Sequence, residues 1–235
     1  MKHAWFIAGT DTEIGKTHAA CALMAALTTQ ERRVAAMKPI AAGTDAEGRN
    51  EDVERLRAVA TVDIPRALMT PYLFNPPIAP HLAADEAAIR IEIPPIVAAF
   101  RQITSLADAV VVEGVGGFRV PLNAEQDTAD LAVALGLPVI LVVGLRLGCL
   151  SHALLTAEAI LQRGLTLAGW IGNHIDPAMA RQEANIDALK HRLAAPCLGL
   201  LPYAPHADIR QAGSALDLDQ LLGKIPPCPT AIERP

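Results

Sequence analysis

The sequence lacks any surplus of positive charge: 20 Lys and Arg stand against 25 Asp and Glu, a formal net charge of -5. Without a global basic field, nothing gathers nucleic acid or an anionic membrane surface, so neither is expected as a partner. A bilayer-length apolar run is missing too. PVILVVGL, from Pro138, falls far short of the roughly 20 residues that span a membrane. The opening MKHAWFIAGTD has no h-region of signal-peptide length and no small-residue cleavage site, which argues against a secretory signal. Cys21, Cys149, Cys197 and Cys228 form no CxxC pair and no metal-ligand spacing. Most of them read as buried apolar thiols in a reducing, cytoplasmic setting. Internal repeats, charge blocks and low-complexity linkers are absent, so residues 1–235 are expected to form one domain, with the proline-rich 224–235 a loosely held tail. At 51% hydrophobic residues the chain can bury a large core, and a small soluble ligand is the expected partner.

What is present is a rhythm. Short apolar runs at 4–9, 34–38, 107–114, 138–144, 167–173 and 195–202 each hand over to a longer helical pattern, at 15–29, 52–60, 85–104, 127–136, 151–163 and 178–193. The runs do not alternate apolar with polar, which predicts strands covered on both faces. The expected fold is therefore α/β, a mostly parallel sheet with helices on both faces. The proline-rich stretch TPYLFNPPIAPHLAAD (70–85) is expected to be an irregular surface loop.

At 9–17 the chain reads GTDTEIGKT, with an apolar strand leading in and the alanine-rich HAACALMAAL leading out. Strand, loop and helix are the context of a phosphate-binding loop, although the strict pattern wants glycine where Thr10 stands. Gly15 lets the backbone turn close to an anion, and the following amides point at it. Lys16 would lie along the β/γ-phosphates and the Thr17 hydroxyl would join a Mg2+ shell. An ordinary strand-to-helix turn with a solvated lysine is the plainer alternative. Glu113 closes a predicted strand, where open α/β sheets bind ligands. Asp52 opens a predicted helix and reads equally as its N-cap. Lys38 ends the second predicted strand before Pro39 and faces the same rim, unless it is a solvated surface lysine. Three glycines among Gly114, Val115, Gly116 and Gly117 either admit a ligand against the backbone or form a tight turn.

Taken together, GTDTEIGKT, MKPIAAG, NEDVERL, YLFNPPIAPHLAA, VVVEGVGGFRVPL, GNHIDP and LGLLPYAP resemble the dethiobiotin synthetases, in order and at similar spacings, from about residue 5 to about residue 210. The resemblance makes Thr10 a family feature. It implies a P-loop NTPase fold and an enzyme of biotin biosynthesis that closes the ureido ring of dethiobiotin from 7,8-diaminononanoate, CO2 and MgATP, releasing ADP and phosphate. An amine first captures CO2 as a carbamate, ATP phosphorylates it, and the second amine attacks the mixed anhydride.

Carried over by position, the resemblance makes Lys38, Lys16 and Thr12 the catalytic groups. It gives ATP the residues Glu13, Ile14, Gly15, Lys16, Thr17 and His18, together with Asp52, Glu113, Gly114, Val115 and Gly116. The base goes to Asn173, His174, Pro202, Tyr203 and Ala204. Thr17, Asp52 and Glu113 match the metal positions, Thr12, Lys38, Ala42, Thr44 and Gly117 the substrate positions, and Asp208 a further acidic nucleotide contact. Ala42 stands where the family commonly carries a hydroxyl residue, with Thr44 the nearest replacement. Ala79 replaces the serine of an SPH element whose histidine, His81, reads as structural. The family also implies a homodimer with substrate near the interface.

Two rivals share the loop. Another ATP-dependent carboxylate-activating ligase of this fold usually brings a glutaminase domain for which this chain is too short. A regulatory P-loop ATPase of the partitioning or division-site type prefers a second lysine early in the loop, which Thr10, Asp11 and Thr12 do not supply, and the presence of Lys16, Lys38, Asp52 and Glu113 together argues against a non-catalytic copy that only binds nucleotide.

Overall fold

The computed structural model describes residues 3–30, 32–203 and 208–223. Six apolar runs form one parallel sheet: β1 (His3–Gly9), β2 (Val34–Met37), β5 (Ala109–Glu113), β6 (Val139–Leu145), β7 (Leu167–His174) and β8 (Cys197–Leu201), in the order β2-β5-β1-β6-β7-β8. Every residue of β1, β5 and β6 is buried, as expected of central strands covered on both faces. The registers Phe6 to Val112 and Phe6 to Val139 bring the C-terminal ends of these strands to one edge. From β1 the chain runs first to β2 and β5 on one side and then to β6 on the other. That reversal opens the crevice where ligands bind in such sheets.

Helix α1 (Lys16–Thr28) follows β1 and is buried along most of its length because its alanines let neighbours approach closely. It packs against α2 (Glu51–Val59) and α9 (Ile209–Ser214), and a Cβ on Gly213 of α9 would sit 2.8 Å from the Ala22 carbonyl. Helices α6 (Thr128–Leu135), α7 (Cys149–Gln162) and α8 (Gln182–Arg192) follow the expected segments, α8 starting a few residues late. No described helix is long and apolar enough to cross a membrane.

Two expectations need correction. The stretch 70–85 is not an irregular loop: it holds β4 (Tyr72–Phe74), paired in parallel with β3 (Ile40–Ala42), and most of α4 (Pro80–Glu86). Its prolines sit at element boundaries, with Pro71 before β4, Pro76 shortly after it, and Pro80 opening α4, where a missing N–H costs nothing. The single helix expected at 85–104 is two, α4 and then α5 (Ile93–Leu106). Ala88, at φ 52, ends the first turn of chain after α4, and Pro94 and Pro95 reset the start of α5. The short α3 (Arg66–Met69) and α10 (Leu218–Leu222) were also not evident in the periodicity. Ala204, Cys228 and the 224–235 tail lie outside the described residues.

Candidate active site

At the C-terminal edge of β1 the chain turns through residues 10–15 into α1. Gly15 caps that helix in the left-handed region, φ 81, and Glu13 is also left-handed at φ 58. Lys16 folds back so that its Nζ donates to the Asp11 carbonyl at 2.9 Å. Its stem lies across Gly9, where a Cβ would come within 2.8 Å of Lys16 Cδ. Gly9, one position before the strict motif places a glycine, thus leaves room for the Lys16 stem.

Four more predicted residues converge below the loop. Thr17 donates its hydroxyl to Glu113 Oε1 at 2.8 Å, and Lys38 Nζ bonds the same oxygen at 2.5 Å and Asp52 Oδ2 at 2.9 Å. Glu113 is fully buried and Lys38 is 3% exposed. The alternative reading of Lys38 as a solvated lysine is thus excluded. Asp52 is not the cap of α2 either: Asn50 takes that place, accepting from Val53 N–H and donating to the Gly43 carbonyl at 2.7 Å. Asp52 is free to face Lys38 because its neighbour does the capping.

The electrostatics follow from burial. Desolvation, helped by the charge of Lys38, lowers the Lys16 ammonium from 10.5 to about 8. Burial also works against the Lys38 charge, but Glu113 and Asp52 outweigh it and hold Lys38 above the ordinary lysine value. Asp52 is desolvated as well, yet Lys38 keeps its carboxyl below the usual range. Cys21 beneath the site is pushed up to about 12 by burial and by Glu113, so it remains a thiol and supplies no nucleophile.

Whether these atoms suit Mg2+ can be judged from one of them. Glu113 Oε2 is buried and has no hydrogen-bond partner. Two carboxylates and a hydroxyl form the hard oxygen set that Mg2+ takes when phosphates and water complete its shell. No group of three or more His, Cys, Asp or Glu that could hold a metal by itself occurs among the described residues. The residues fit.

The remaining predicted residues lie around this cluster. The Gly114–Gly117 turn folds over the loop: a Cβ on Gly117 would lie 3.8 Å from the Gly9 carbonyl, and one on Gly116 3.5 Å from Thr12 Oγ1. Val115 packs against the core from that turn. Thr12 is exposed at the lip, its N–H on Asp11 Oδ1. Ile14 is buried, while His18 is half-buried on α1 and is lowered by desolvation and Arg55. Asn173, 6% exposed at the end of β7, donates to the Ile14 carbonyl at 2.9 Å. Next to it, His174 is lowered by burial and its Nε2 lacks a partner. Pro202 and the exposed Tyr203 leave β8. Asp208 caps α9, accepting from Arg210 N–H. Ala42 ends β3, and the Thr44 hydroxyl is bonded to Asn75 Oδ1 at 3.2 Å. His81 lies on α4 with Nδ1 buried and unpartnered. Missed from sequence were Gly9, Asn50 and Arg146, which pairs with Asp11 at 2.5 Å. Of these only Gly9 left a signal, as the glycine ending a strand one step before Thr10.

A parallel sheet whose reversal point carries a Gly-Lys-Thr loop over two buried-edge acids defines a P-loop nucleotide-binding protein. Residues 3–211 match the family model described as "AAA domain". The chain is 57% identical over 222 residues to an ATP-dependent dethiobiotin synthetase of Ralstonia nicotianae, covering 93% of this chain and 97% of that protein. It is 55% identical over 218 residues to the enzyme of the same name from Aromatoleum aromaticum, covering 92% and 97%. The chain belongs to the ATP-dependent dethiobiotin synthetase family. Among solved structures, the MinC:MinD cell division protein complex of Aquifex aeolicus superposes with a TM-score of 0.56 at 18% identity, covering 96% of this chain and 98% of that one. A ParA family ATPase from Chlorobium tepidum gives 0.53 at 14%, covering 95% and 93%. At such identities these likenesses show the fold alone.

Proposed function

We propose that this protein is an ATP- and Mg2+-dependent ligase of biotin biosynthesis that joins 7,8-diaminononanoate and CO2 into the ureido ring of dethiobiotin, releasing ADP and phosphate. The observation that carries the reading is the buried Lys38–Glu113 pair with the part-exposed Asp52, joined by Thr17 and next to Lys16, in a chain more than half identical to synthetases of that name. Ring closure passes through a carbamate, its phosphorylated anhydride and a tetrahedral centre, each with concentrated negative charge. A water-poor site with two lysines and a row of loop amides meets that demand.

MgATP, when bound, supplies the phosphoryl group and the divalent charge that steadies it. Amides from Glu13 to His18 and the Lys16 ammonium hold the phosphates. Thr17, Asp52 and Glu113 offer the oxygens for the cation. Lys38, within a side chain's swing of the same space, and Thr12 at the lip hold the carbamate oxygens, and Lys38 follows their charge as the anhydride forms. Gly114, Val115 and Gly116 flank the nucleotide, and Asn173, His174, Pro202 and Tyr203 line the base side. Ala42, Thr44 and Gly117 face the diamine, with Asn75 sharing the Thr44 hydroxyl. A second copy covers the exposed Leu147 and Leu155, giving a homodimer, and free Cys21, Cys149 and Cys197 suit the cytoplasm.

The test is phosphate release from MgATP and bicarbonate, with and without 7,8-diaminononanoate, alongside dethiobiotin by mass. Release that requires the diamine and equals product supports the reading. Release indifferent to the diamine, with no product, refutes it.

A further inference from the structure

Residues 11–15 have few outside supports. The Thr10 N–H is tied to the Val142 carbonyl, and α1 takes over where the Gly15 carbonyl accepts from Ala19. Among the described residues, three hydrogen bonds reach the span between them from outside it. Two end on Asp11, from Lys16 Nζ to its carbonyl and from the exposed Arg146 to its side chain; the third is the buried bond from Asn173 Nδ2 to the Ile14 carbonyl, across 159 residues of sequence. Ile14 is held from its side-chain end as well, since a Cβ on Gly144 of β6 would meet Ile14 Cγ2 at 2.7 Å. On the backbone side, any Cβ at Gly15 would collide with the Asn173 amide. The peptide that begins the row of phosphate-facing amides is thus fixed by one side chain at the end of β7.

We propose that Asn173 is a positioning residue for the phosphate loop, beyond any contact it makes with the base. The chemistry admits one orientation. A carbonyl oxygen only accepts, so the Asn173 group facing Ile14 is the NH2, whichever way the amide is drawn. Removing that donor leaves a buried carbonyl unpaired next to the residue whose left-handed backbone aims the following amides. The loop then samples other peptide orientations, and the amides lose their common focus.

The inference rests on the loop binding phosphates, and its test omits both base and diamine. Magnesium tripolyphosphate is titrated calorimetrically into wild type, Asn173→Leu, which removes the donor, and Asn173→Asp, which keeps the shape and presents an acceptor. Both variants are expected to bind it about tenfold more weakly, the loss of one buried hydrogen bond. Amide exchange at Gly15–Thr17 of the free variants is expected to quicken well below their melting points. Should one variant fail to fold, the other gives the result. Variants that hold tripolyphosphate as wild type does, and lose affinity for ATP alone, would make Asn173 a base reader only and overturn the proposal. A wild type that binds MgATP but not tripolyphosphate overturns it also, because the loop would have no base-independent hold to brace. Failure of dethiobiotin formation would leave either outcome unchanged.

Discussion

Replacing Lys38 by methionine keeps most of the side-chain volume and removes the ammonium, so it isolates charge from packing. The wild-type ammonium serves Glu113 at 2.5 Å and Asp52 at 2.9 Å. In Lys38→Met, Asp52 turns toward water, being 40% exposed at its side chain, but Glu113 at 0% keeps only the Thr17 hydroxyl. Breaking a buried ion pair from one side costs about 3–5 kcal/mol. For a domain of this size that lowers the melting point by roughly 6–20 °C. Urea unfolding of both proteins reads the difference as a lower midpoint at unchanged slope. The cycle is completed with Glu113→Gln and with Lys38→Met/Glu113→Gln, the second of which removes the stranded charge and should recover most of the loss. A single variant within about 1 kcal/mol of wild type, or a double variant no better than the single, would refute the claim that this pair is an energetically coupled buried cluster.

Further expectations concern the same few residues. Lys38→Ala abolishes ring closure while most ATP affinity survives, because the lysine serves the carbamate and its transition state; near wild-type turnover would contradict that role. Lys16, lowered to about 8, is charged in both folded and unfolded chains below that pH and neutral in both above about 10.5, so its desolvation cost is fully present below 8 and disappears as pH rises across this window. On the proposed role of the Lys16 ammonium in holding the phosphates, affinity for MgATP falls as pH climbs past 8, about tenfold by pH 9, and calorimetry showing a flat profile would count against it. Gly9→Ala drives a Cβ into the Lys16 stem and should weaken MgATP binding at least about tenfold while costing about 1–3 kcal/mol of stability. Thr17→Val keeps the shape, loses the bond to Glu113 for about 1 kcal/mol, and should raise the Mg2+ needed for half-maximal rate.

Much of this was readable before any coordinates, for a physical reason. Buried parallel strands must be continuous apolar runs, so β1, β5 and β6 announced themselves, and Glu113 stood out as a carboxylate ending such a run. The loop carried its own chemistry. What stayed hidden depended on partners distant in sequence. β3 and β4 are three residues each and stabilise one another, so neither has a local signature. Asp52 could be told from a helix cap only once Asn50 was seen in that place. The bond from Asn173 to Ile14 spans most of the chain and involves a backbone carbonyl, to which sequence is blind. The number of prolines in 70–85 suggests a loop, whereas their positions at element ends are compatible with β4 and α4.

The four ionised groups around Lys38 also have a consequence for how ligands arrive. Lys16 and Lys38 offset Asp52 and Glu113, and Arg146 offsets Asp11 at the lip, so these groups leave no net positive charge within a chain of net charge -5. Such a site exerts no long-range pull on a free polyanion, and bare ATP approaching it meets an acidic molecule with no compensating field. Discrimination falls to the last few ångströms, where loop amides and the two ammonium groups are in reach. A ligand that brings its own counter-charge, as the magnesium complex does, arrives at this surface with less repulsion than the free nucleotide.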